Sequence, residues 1–152
     1  MDFIISVIIN IINIIVGYYF FTLQQYIIHR IQHSKYFKTH RLKHHKTYDR
    51  NNITSQINTN SLYENLDFYF YGNILIFPFN YLLFDTYVLC IQLFIAYLSY
   101  YFHNEYHNPN SYWKEYQFYK YLKQKHQIHH EYPTKNHFLL DPTFDIIFGT
   151  YK

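Results

Sequence analysis

A chain of 152 residues has room for one domain, and its single cysteine, Cys90, excludes an internal disulfide framework and any cysteine-based zinc site. A formal charge of +3 is too small to indicate nucleic acid, so no nucleic-acid partner is expected. Aromatic residues reach 24%, while only three Gly and four Pro interrupt the chain, which favours long regular elements over a loop-rich fold.

The first element is "FIISVIINIINIIVGYYFFTL", Phe3 to Leu23, which carries no charge. As a helix it measures roughly 30 Å, the thickness of a hydrocarbon core, and it reads as a membrane span. A cleaved signal peptide needs a basic start and a small-residue cleavage site, whereas here Asp2 leads and Tyr18-Tyr19-Phe20-Phe21 closes. Asn10 and Asn13 share one helix face, which is expected to turn towards protein. A basic, histidine-rich stretch follows to Arg50, and then a polar connector from Tyr48 to Asp67. Asn52 there lies in a glycosylation sequon that a cytosolic connector would leave unmodified.

The second apolar stretch, Phe68 to Phe102, would measure about 52 Å as one helix, too long for a single crossing. Pro78, Asn80 and Asp85 fall near its middle, which predicts two short helices in a hairpin with its tip near Asn80–Asp85. All thirteen Lys and Arg lie outside the apolar runs, seven from Arg30 to Arg50 and six from Lys114 to Lys152. The positive-inside rule then places both basic regions in the cytosol and the N-terminus opposite. The expected architecture is all-α: integral membrane helices, one N-terminal span plus a hairpin, under a cytosolic histidine-rich helical cap. One domain covers 1–152, with 1–28 the first membrane helix, 29–50 the first histidine cluster, 68–102 the hairpin, and 103–152 the second cluster and cap.

Ten of the eleven histidines fall in four boxes: His29-xxx-His33, His40-xxx-His44-His45, His103-xxx-His107 and His126-xx-His129-His130. Residues three or four apart share a helix face, so each box can aim two imidazoles at one point, and a doubled His adds a ligand for a neighbouring ion. Ten imidazoles exceed what one ion takes, and two ions fit better. Imidazole suits iron, zinc, copper and nickel alike, so the ligands leave the metal open. A basic aromatic stretch binding RNA or anionic headgroups would explain the Lys and Arg but not the repeated histidine spacing. A structural or storage zinc site remains a rival reading of the boxes.

Order and spacing resemble the fatty acid hydroxylase and sterol desaturase superfamily of membrane histidine-box di-iron enzymes, over roughly Tyr26 to Tyr151. The resemblance rests on "HRIQH" after a membrane span, "HNEYHN", "KHQIHH", Asn136, and "FDIIFGT" from Phe144 to Thr150. Two departures stand out. The second box has three residues before its doubled His where the family more usually has two. The family's Asn-Tyr-Gly appears as Asn136-His137-Phe138, which adds His137 as a candidate extra ligand.

The resemblance implies an O₂-dependent oxidoreductase with two Fe ions, hydroxylating or desaturating a C–H bond of a fatty-acyl, sphingoid or sterol lipid, with zinc a conceivable substitute metal. It further implies a separate electron donor of the cytochrome b5 or ferredoxin type and, in a eukaryotic cell, the endoplasmic reticulum membrane. A non-catalytic zinc-binding membrane protein or an inactive relative is the alternative. Each ligand histidine needs an acceptor for its other ring nitrogen. The nearby candidates are Asp49, Glu105, Glu131, Asp141 and Asp145, with Asp145 foremost because it lies in the matching signature; Asn136 joins it. Tyr69, Phe70, Tyr97, Tyr100 and Tyr101 are expected to anchor and pack the membrane helices.

Overall fold

A computed structural model describes residues 2–35, 40, 44–48, 53–54 and 75–152, and no strand occurs among them. Helix α1 covers Asp2–Gln32, α2 is one turn at His45–Thr47, and α3 covers 75–83. Then follow α4 (Thr86–His107), a 3-10 turn at Tyr112–Glu115, α5 (Gln117–Glu131) and α6 (Thr143–Ile147). The connector, apart from Tyr48, Ile53 and Thr54, lies outside the described residues, as do Asp49, Tyr69 and Phe70.

Helix α1 extends well beyond the apolar run, to about 46 Å, so the first histidine box caps the same helix that begins as an apolar span. Phe3–Gln32 is long and apolar enough to cross a membrane, the one such helix among the described residues. Its N-terminal half exposes Ile5, Ile8, Ile12 and Ile15, a surface that water would not favour. Two faces of its C-terminal half are occupied. Gly17, Phe21 and Gln24, spaced four and three apart, turn to α3 and α4. Tyr18, Thr22, Gln25 and His29, also at helical spacing, line a cavity.

Helix α4 buries one stripe, Val88, Gln92, Ile95, Ser99, His103 and Tyr106, so a single face carries apolar, amide and hydroxyl side chains and then a histidine of the third box. Near its start α4 meets α1 closely: a Cβ on Gly17 would stand 2.2 Å from Val88 Cγ1. Gln92 Nε2 donates to the Gly17 carbonyl at 2.9 Å. Asn80 Nδ2 donates to Gln92 Oε1 at 2.9 Å and to Gln24 Oε1 at 3.0 Å, and Gln24 Nε2 returns a bond to Asn80 Oδ1 at 2.8 Å. Three helices thus share one amide network, all of whose bonds close inside protein.

The expected break falls at Phe84–Asp85, inside the predicted tip, while Pro78 stays within α3. Asp85 is extended (φ −65°, ψ 154°), and its carbonyl receives the Val88 and Leu89 N–H groups that open α4. Tyr87 beyond the break donates to Asn10 Oδ1 at 3.2 Å, so that asparagine does meet protein. Segment 136–142 and α6 fold back on the far end of α1, where Tyr26 stacks on Phe148. Tyr106 of α4 ties this segment down by donating to the Leu139 carbonyl at 2.9 Å.

Candidate metal centre

The helices bring histidines from all four boxes into one buried region. Three sets of four each place one ring nitrogen per residue within 4.8 Å of the others: His29, His33, His129 and His137; His33, His40, His45 and His129; His44, His107, His126 and His130. The first two sets share His33 and His129 and so adjoin, bringing six imidazoles to one end of the region, the first candidate position. The third outlines a second position. His103 stands against the latter, its ring 4.7 Å from those of His44 and His126. The doubled histidines divide between the two: His44 and His130 face one, His45 and His129 the other.

Backbone carbonyls hold four of these rings. Nδ1 of His29 donates to the His137 carbonyl at 2.6 Å, Nδ1 of His107 to Ile53 at 2.8 Å, and Nδ1 of His129 to Lys135 at 2.7 Å. Nδ1 of His130 donates to the Tyr48 carbonyl. A carbonyl only accepts, so Nδ1 carries the proton in each neutral ring and Nε2 presents its lone pair to the interior. Two of the carboxylates expected for this task are engaged elsewhere, and Glu131 is exposed at the end of α5. Glu105 accepts from Ser111 and Asn108, and Asp141 from Tyr18 at 2.7 Å and the Thr143 N–H at 2.8 Å.

Asp145 acts at one remove from the rings. Fully buried, it accepts from the His137 and Phe138 N–H groups at 2.9 and 2.8 Å and from Thr150 Oγ1 at 2.6 Å. It therefore fixes the peptide whose carbonyl orients His29. Asn136 takes the left-handed conformation (φ 49°), donates its N–H to Thr150 and accepts from the Lys152 N–H at 2.8 Å. Its side chain locks the C-terminal segment against the turn that carries His137.

Nitrogen geometry tests whether a cation suits the centre. His126 Nε2 lies 3.0 Å from His107 Nε2 and 3.1 Å from His130 Nε2. Both neighbours present lone pairs, and His126 has at most one hydrogen to offer the two of them. Its Nδ1 is buried without a hydrogen-bond partner, so either tautomer leaves a nitrogen unsatisfied. The same holds for His44 Nε2, His129 Nε2 and His137 Nδ1, all buried and unpartnered. Each such group costs about 1–3 kcal/mol. Protonation does not relieve them: burial, and next the neighbouring histidines, hold His44, His126 and His129 well below the ordinary histidine range. Neutral, inward-facing imidazoles at these separations are what a metal cation requires.

A cavity of about 220 Å³ adjoins the first position. It runs between α1, α4 and segment 137–145, with Ile95, Leu98, Leu139, Leu140 and Phe144 as apolar walls and His29 and His137 on its lining. Sequence reasoning missed the four carbonyl partners, because a backbone acceptor has no residue type to recognise. It also missed the Gln24–Asn80–Gln92 network, for which three amides in or beside apolar runs were the only signal.

A fatty acid hydroxylase family model matches residues 14–150. The match spans nearly the whole chain, all four boxes and the closing signature, and the protein belongs to that family. No curated protein and no solved structure matches it. Family membership and the apolar exposed helix point together to a membrane protein of the lipid-oxidising class.

Proposed function

We propose that this protein is a di-iron, O₂-dependent lipid hydroxylase or desaturase. The observation that carries the reading is the lone-pair-to-lone-pair approach of the buried, neutral His107, His126 and His130, with an apolar-walled cavity reaching His29 and His137 of the neighbouring set. The His33/His129 set and the His44/His126 set would each hold one ion, and bound iron would supply the oxidising chemistry towards O₂ that no side chain here provides. The chain's own part is orientation and exclusion. The Ile53, Tyr48, Lys135 and His137 carbonyls fix the tautomer and direction of four ligands, and the buried surroundings keep water away.

The cavity receives the substrate. Tyr18 and His29, both on its lining, are separated by about 16 Å along α1, so an extended aliphatic chain fits beside the helix with one carbon next to the histidines. On this reading α3 and α4 form the membrane hairpin, both histidine clusters face the cytosol, and an electron carrier of the cytochrome b5 or ferredoxin type docks there. A eukaryotic host would place the enzyme in the endoplasmic reticulum. The test is lipid analysis of host membranes carrying the wild type or His44→Ala. The reading expects a hydroxylated or further unsaturated lipid with the wild type alone. Identical lipids from both, with iron bound to the wild type, would overturn the oxygenase.

A further inference from the structure

The chain carries an eleventh histidine outside the four boxes, and its position is specific. His137 is 3% exposed, its Nδ1 is buried without a partner, and one of its ring nitrogens lies within 4.8 Å of ligand atoms on His29, His33 and His129. Its ring centroid is 5.5 Å from those of both His29 and His129. Both histidines on the cavity lining, His29 and His137, belong to this one set, while none of His44, His107, His126 and His130 touches the cavity. The two metal positions are therefore unequal with respect to the cavity.

We infer that His137 is a protein ligand to the metal at the His29–His33–His129 position, occupying the coordination site that faces the cavity. The inference rests on the di-metal reading above and deepens it. His137 completes a set of four with His29, His33 and His129, and the overlapping set adds His40 and His45 beside the shared His33 and His129. With His40 and His45 also in reach an octahedral ion could be filled by imidazoles, and the His137 ring, on the cavity lining, then decides whether that ion has an open place towards the cavity.

Two variants separate this role from a structural one. Residue 137 is held through its backbone: its N–H goes to Asp145 Oδ1 and its carbonyl receives His29 Nδ1. Any side chain keeps both bonds. The ring itself makes an edge contact with Tyr26, at 5.6 Å between centroids, and a hydrogen bond to the Thr134 backbone. His137→Phe preserves the edge contact without a ligand atom, and His137→Gln removes the ring at similar length.

The experiment is a Co²⁺ titration of metal-free protein in detergent, followed by visible absorption with and without azide. Wild type is expected to take two equivalents, with the spectrum at the first position insensitive to azide. In His137→Phe and His137→Gln, one equivalent should weaken at least about tenfold, its visible bands should intensify as coordination number falls, and azide should then alter them. His130→Ala, which lies in the other set, should leave the first position's spectrum as in wild type. Wild-type affinity, spectrum and azide response in both His137 variants would overturn the ligand assignment alone. Failure of the wild type to bind Co²⁺ would overturn the metal centre with it.

Discussion

Helices α1 and α4 approach tightly at Gly17 and Val88, and Gly17→Ala tests that approach directly. The new Cβ would stand 2.2 Å from Val88 Cγ1, against about 3.5–4.0 Å for an ordinary carbon contact, so the helices must part by more than an ångström. Val88 gives little way, because a β-branched side chain in a helix keeps one rotamer. Overpacking of this kind costs about 1–3 kcal/mol, and straining the 2.9 Å bond from Gln92 to the Gly17 carbonyl adds about 1 kcal/mol. The helix propensity of Ala over Gly returns about 1 kcal/mol, leaving a net loss of about 1–3 kcal/mol. For a chain of this size that lowers Tm by roughly 2–12 °C, read by circular dichroism of detergent-solubilised protein. Val88→Ala removes the clashing methyl, so the double variant should recover most of the loss. An unchanged Tm in Gly17→Ala, or no recovery in the double variant, would refute the close approach.

Two further perturbations bear on the centre itself. Asp145→Ala removes the acceptor for two backbone N–H groups and Thr150, and by freeing the peptide that orients His29 it should weaken metal binding about 10–100-fold in a metal titration. Unaltered affinity would detach that carboxylate from the site. The metal-free chain should also lose stability on acidification. His44, His126 and His129 have folded-state pKa values pushed below their unfolded value by burial, so the unfolded chain binds protons first as pH falls through about 6.5. Their contribution is complete above that pH and declines below it, by about 1.4 kcal/mol per pH unit for each such histidine. Denaturant midpoints at pH 7.5, 6.5 and 5.5 check the sign, and a flat profile contradicts neutral burial of these rings.

Much of the histidine cluster was legible because its members obey helical spacing. His103 and His107 on α4, and His126, His129 and His130 on α5, share faces that follow from three- and four-residue intervals. The all-helical fold and the family followed from the same pattern with the closing signature. Other features depend on contacts between distant segments. Nothing local predicts that α1 runs unbroken to Gln32, or that the chain turns at Phe84–Asp85 while Pro78 stays helical. The amide network joining Asn80 to Gln24 and Gln92 exists only once three helices are assembled. Asp145 was singled out from its signature, but its partners are backbone N–H groups where a ligand ring was expected. The division of His44 from His45, and of His129 from His130, follows from neighbouring side chains on a helix pointing about 100° apart.

The most direct measurement is elemental analysis of metal per chain on protein extracted in mild detergent, for the wild type, His126→Ala and His129→Ala. The account predicts about two irons per wild-type chain, with His126→Ala losing the ion of the His44 set and His129→Ala the ion of the His33 set. Well-folded wild type with no bound metal, or metal retained in full by both variants, would contradict it.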